Sequence, residues 1–142
     1  MTEIKNLFKL AEKTRKNAYS PYSKIKVGAA LRTRKGEVFS GCNVENSSYG
    51  ATICAERVAI QSAVATIGHF EIAEIVVVTD ANPPWPPCGM CRQVIAEFAK
   101  PSTVIHAMNP DGAIVSQKFS ELFPNAFTPE HLLKSTVKKK KV

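Results

Sequence analysis

Ile4, Leu7, Phe8 and Ala11 recur at three- and four-residue spacing, with Lys5, Lys9, Lys13 and Lys16 off that stripe. This is the pattern of an amphipathic helix. It should end before Ser20-Pro21, because a proline disfavours helical geometry in the residue ahead of it. Residues 25–33 (IKVGAALRT) and 37–43 (EVFSGCN) read as two strands about a turn at Arg34-Lys35-Gly36. A helix fits 53–67 and closes near Gly68. The β-branched run EIVVVTD at 74–80 is the signature of a strand buried on both faces. Residues 82–87 (NPPWPP) form a loop, since their prolines deny regular hydrogen bonding. A second buried helix fits 89–99 and is ended by Pro101. STVIHAM at 102–108 reads as a strand, Asn109-Pro110-Asp111-Gly112 as a turn, and AIVSQ as another strand, before short helical pieces near 118–122 and 129–134. Strands alternating with helices make this an α/β chain with a sheet covered on both faces.

Composition adds three constraints. With 44% hydrophobic and 22% charged residues in 142, the chain has the balance of an ordinary globular domain and the length to build its own core. No run approaches the roughly 18 apolar residues of a membrane span, and the charged N-terminus lacks the apolar core of a secretion signal, which predicts a cytoplasmic protein. The formal charge of +7 invites a nucleic-acid partner, but without the five lysines of residues 134–142 the remaining chain holds 14 basic against 12 acidic residues. The expected organisation is one domain over 1–133 and a basic, disordered tail over 134–142.

The four cysteines then matter most, because cytoplasmic thiols stay reduced and serve metals or catalysis before disulfides. Cys88 and Cys91 stand at C-x-x-C spacing ahead of a helix, and Cys54 stands ahead of another. Helix N-termini carry partial positive charge and favour thiolates. Three thiols that group, with Cys42 apart in a predicted strand, match a catalytic metal site with an open fourth position; a closed four-cysteine site and a redox pair are the alternatives. Glu56, two residues past Cys54, can stand beside a metal without binding it and move protons. Three thiolates on a divalent cation leave one negative charge, which Arg57 is expected to offset by hydrogen bonding to sulfur, with Arg92 in a similar part. Cys42 is expected to be a buried small residue, and His69, His106 and His131 fit no ligand spacing.

The segments SPYSKIKVGAAL (20–31), GCNVENSSYG (41–50), TICAERVAI (52–60), PCGMCRQVIAEF (87–98) and ELFPNAF (121–127) together resemble the zinc-dependent cytidine deaminases. Length and three cysteine ligands resemble the short, homotetrameric branch. The resemblance covers nearly the whole chain except the lysine tail. It implies a three-layer α/β/α sandwich around a mixed five-stranded sheet, and one Zn²⁺ per subunit on Cys54, Cys88 and Cys91. It implies hydrolytic deamination of cytidine and deoxycytidine in pyrimidine salvage, with Glu56 as proton shuttle. Asn43 and Glu45 would grip the ribose hydroxyl, the backbone of Ala55 and Pro86 would face the base edge, and Tyr49 and Phe127 would complete a neighbouring subunit's pocket. Two positions depart from the family pattern. Ile25-Lys26 replaces Phe-Pro, so Ile25 brings apolar bulk but no aromatic face to the base. Pro86 replaces Ser or Thr, which leaves a backbone carbonyl unchanged. Trp85 lies near the pocket mouth by sequence, or packs on the surface. Deamination of a modified nucleoside, or of a base within RNA or DNA, is the alternative activity. Asn43-x-Glu45 argues for a free nucleoside and against nucleic acid, because a carboxylate suits a free hydroxyl better than a phosphodiester. A zinc-stabilised binding module is the non-enzymatic alternative.

Overall fold

The computed structural model describes residues 2–135. The N-terminal stripe forms α1 (Thr2–Arg15), followed by the hairpin β1 (Gly28–Thr33) and β2 (Val38–Cys42). Then come α2 (Ala55–Ile67), β3 (Ile72–Val78), α3 (Gly89–Phe98), β4 (Ala99–Met108), β5 (Ile114–Lys118) and the short helices α4 (Phe119–Leu122) and α5 (Pro129–Ser135). The strands form one sheet in the order β2-β1-β3-β4-β5. Only β3 and β4 run parallel, and α3 makes the crossover between them.

The strands explain the layers. Successive β3 side chains point to opposite faces, so Val76 and Val78 meet Leu7 and Ala11 of α1, while Ile75 and Val77 meet α2 and α3. Ala59, Ile60, Ile95, Phe119 and Leu122 complete the second core. This is the expected sandwich around a mixed five-stranded sheet. No helix among the described residues is long and apolar enough to cross a membrane.

Two glycines set how closely helices lie on the hairpin. A Cβ at Gly28 would stand 2.1 Å from the Ala11 carbonyl oxygen of α1. A Cβ at Gly41 would stand 2.5 Å from the Ala55 carbonyl oxygen and the Ala59 nitrogen of α2. Only a residue without a Cβ admits either contact.

Several boundaries differ from expectation; β3 spans Ile72–Val78 rather than 74–80, and α2 starts at Ala55 rather than at 53. β1 starts at Gly28 rather than at residue 25. Residues 25–27 are held instead by the Asn43 side chain, whose Oδ1 accepts from the Val27 N–H at 2.8 Å and whose Nδ2 donates to the Ile25 carbonyl at 2.9 Å. The crossover helix stops at Phe98 and β4 begins at once, through Pro101. The proline is tolerated because β5 pairs only with Val104–Met108 and the β3 pairing is irregular there. Buried Thr103 closes that irregularity by donating to the Ile72 carbonyl at 2.8 Å and accepting from Lys100 N–H at 2.9 Å. Finally, α5 runs to Ser135, two residues into the expected tail; residues 136–142 lie outside the described ones.

Candidate active site

Cys54 and Cys88 are each the residue that caps a helix N-terminus, of α2 and α3, and neither sulfur is spent on a capping hydrogen bond. Cys91 follows one turn into α3 and is fully buried. The two helix starts converge beyond the carboxyl end of β3, so the three sulfurs lie within 4.8 Å of one another. Cys54 Sγ and Cys88 Sγ are 3.9 Å apart. Tetrahedral zinc with bonds of about 2.3 Å to sulfur needs a separation of about 3.8 Å, so this pair already stands at the spacing zinc needs and Cys91 lies close enough to join it. Cys42 lies outside the group, and burial raises its thiol pKa. These observations remove the closed four-cysteine site among the described residues. A hydrogen bond donated by the Cys91 thiol draws Cys54 down to about 5, helped by Arg57, while the same bond, together with burial, pushes Cys91 up.

Glu56 occupies the first turn of α2 and is 4% exposed. Burial, and then the charge on the Cys54 sulfur, lift its carboxyl to about 7. Arg57 reaches back over the helix start: its Nη2 donates to the Thr52 carbonyl at 3.1 Å and to Cys54 Sγ at 3.6 Å. Arg92 does something different from the sulfur contact expected of it. Its Nε donates to the Pro87 carbonyl at 2.8 Å and its Nη1 to the Leu122 carbonyl at 3.2 Å, so it braces the residue before Cys88 against α4.

A cavity of about 180 Å³ opens in front of this group, lined by Val27, Asn43, Thr52, Ile53, Cys54, Glu56, Val77, Thr79, Trp85, Pro86 and Cys88. A larger hollow of about 380 Å³ lies beside Phe127, Leu132 and Leu133, but it gathers no thiols. Of the residues singled out in the sequence, Cys54, Cys88, Glu56, Asn43, Trp85 and Pro86 line the cavity together, and Ala55, between Cys54 and Glu56, is fully buried. The others stand apart. The Glu45 carboxylate accepts from the Tyr22 N–H at 2.9 Å, from the Ser23 N–H at 3.2 Å and from the Ser23 hydroxyl, which lowers its pKa. Ile25 is 40% exposed and is not part of the cavity wall. Tyr49, 76% exposed, meets Tyr22 edge-on at 5.8 Å, and Phe127, 53% exposed, stacks on His131 at 5.3 Å. Val27 and Thr79 line the cavity without an expectation behind them, whereas Trp85 takes the place near its mouth that was one of its two readings.

The model of the cytidine and deoxycytidylate deaminase zinc-binding region matches residues 1–108. The chain belongs to this family. It is 46% identical over 126 residues to the cytidine deaminase of Halalkalibacterium halodurans, covering 89% of this chain and 95% of that one. It is 43% identical over 130 residues to the Sporosarcina psychrophila cytidine deaminase, covering 92% and 95%. The crystal structure of cytidine deaminase from Burkholderia pseudomallei superposes with a TM-score of 0.82 at 46% identity, covering 87% of this chain and 98% of that one. As a member of a zinc-binding deaminase family, the chain takes zinc as its cofactor, and Cys54, Cys88 and Cys91 form a group able to hold one ion per subunit.

Proposed function

We propose that the protein hydrolyses cytidine and deoxycytidine to uridine and deoxyuridine with release of ammonia. The observation that carries the reading is the convergence of three sulfurs and one buried carboxylate on a single cavity. Cys54, Cys88 and Cys91 hold the zinc, which when bound makes water a better nucleophile at neutral pH. Glu56 does the proton work. Its carboxylate takes a proton from the attacking water and delivers it to N3 of the ring. It carries the second proton to the exocyclic nitrogen at C4, which leaves as ammonia. Buried beside the sulfurs in the cavity wall, Glu56 is placed to accept a proton and then donate it. The Ala55 backbone and the Pro86 carbonyl border the base edge, and Asn43 and Glu45 provide the ribose end. Arg57 offsets the negative charge of the sulfurs.

The cavity of about 180 Å³ is small and open for a nucleoside. The exposed rings of Tyr49 and Phe127 support completion of the pocket by neighbouring copies in a homotetramer. The reading takes residues 1–133 as one domain in the cytoplasm, where thiolate ligands stay reduced. The decisive test is the ultraviolet absorbance change on cytidine with zinc-loaded protein beside Glu56→Gln. Conversion by the parent alone supports the proposal; no conversion by zinc-loaded parent overturns it.

A further inference from the structure

We propose that Trp85 supplies the flat aromatic surface against which the pyrimidine ring lies, so that base recognition in this chain comes from the 82–87 loop and not from position 25. The inference rests on the nucleoside reading above.

Trp85 is the chain's one tryptophan. It lines the cavity with Val27, Thr79 and Cys88 and stays 50% exposed. The cavity wall otherwise offers aliphatic, sulfur and small polar side chains, so among the described residues the indole is its one aromatic ring. A half-exposed indole gains most of its burial energy only when something flat covers it. A pyrimidine has such a face, and stacking on an aromatic side chain does not depend on the ring's hydrogen-bonding edge.

The loop is built to hold that ring still. Pro83 and Pro84 precede it, and Pro86 and Pro87 follow it. Pro84 and Pro87 are buried. The Trp85 N–H points to the Thr79 hydroxyl at 3.5 Å, and Arg92 holds the Pro87 carbonyl at 2.8 Å. Four prolines remove most of the backbone freedom that binding would otherwise have to freeze. Position 25 is built for another task. Ile25 has no aromatic face, lies outside the cavity wall, and is engaged through its backbone by Asn43 and Ser23. Its neighbour Val27 is the residue of that segment that reaches the cavity.

The experiment uses the zinc-loaded full chain and two readouts. Cytidine turnover is measured for the parent, Trp85→Leu, Trp85→Phe and Ile25→Ala, and the tryptophan emission of the parent is titrated with uridine, which binds as product without reacting. Uridine is expected to change the emission saturably. Trp85→Leu is expected to raise KM about tenfold, with kcat within about twofold and zinc content unchanged, because stacking serves ground state and transition state alike. Trp85→Phe should recover most of the KM. The proposal is overturned if Trp85→Leu costs no more in KM than Ile25→Ala, or if saturating uridine leaves the emission unchanged. Failure of the parent to release ammonia from cytidine would overturn the nucleoside reading itself, and is told apart by the parent's turnover.

Discussion

At Glu56, sequence position and burial act in opposite directions on one side chain. A carboxylate in the first turn of a helix is ordinarily exposed, ionised and favoured by the helix dipole. Here the fold buries it beside sulfur and lifts its pKa to about 7, which suits the proton transfers proposed for it. Glu56→Gln keeps the shape and removes the transfer. It should lower kcat by about 10²–10⁴ while zinc stays bound, as metal analysis beside steady-state kinetics will read. Arg57 is placed to act through the sulfur instead. It ties Cys54 Sγ to the Thr52 carbonyl, so Arg57→Ala should weaken zinc retention by about 10–100-fold in a chelator competition. The positions of these residues beside the sulfurs were legible in their types and spacing. Those of Asn43 and Arg92 were less so, because both bond to backbone carbonyls or amides, and a sequence carries no sign of which carbonyl a side chain will meet.

At the scale of elements, the two close-approach glycines separate stability from chemistry. Gly28→Ala drives a Cβ against the Ala11 carbonyl of α1, and Gly41→Ala drives one against Ala55 and Ala59 of α2. Both should destabilise by at least about 1–3 kcal/mol, the usual cost of overpacking, visible as a lower Tm. Only Gly41→Ala should also loosen zinc, because α2 carries Cys54 at its cap and Glu56 in its first turn. The helices and strands themselves followed from periodicity, since each buries one stripe or two faces. The start of β1 and the end of α3 did not. Asn43 replaces ladder bonds at the first, and Thr103 stitches an irregular pairing at the second. Both depend on a partner 16 to 31 residues away.

At the scale of the whole molecule, the sheet leaves one polar cluster on the face of α1. His106 of β4 is 5% exposed, with Nδ1 at 2.7 Å from the Ser116 hydroxyl of β5 and Nε2 at 3.4 Å from the Glu74 carboxylate of β3, itself paired with Arg32 of β1. Burial outweighs Glu74 and lowers the histidine pKa below its ordinary 6.5. The unfolded chain therefore takes up this proton first, and the folded state loses stability as pH falls below 6.5. His106→Gln should flatten that part of a stability-against-pH curve from chemical denaturation. The exposed rings set a second expectation at this scale. If the proposed homotetramer forms, sedimentation gives a particle near four times the 15.5 kDa chain, and a charge in place of one exposed ring, Tyr49→Asp, should lower both the mass and the turnover per subunit.

By itself, the sequence determined the α/β class, the order of helices and strands along the chain, and three thiols of metal-ligand spacing with an acid beside them. These are written in local periodicity and in spacings of a few residues, which depend on the chain's own geometry. The tertiary structure decided what required distant segments to meet. It brought Cys54 to 3.9 Å from Cys88 across two helix starts, buried Glu56 far enough to change its acidity, and spent Arg92 on a backbone brace. It also placed Trp85, and not Ile25, in the cavity wall. Burial and long-range contact depend on how whole layers pack, and no short stretch of sequence records that.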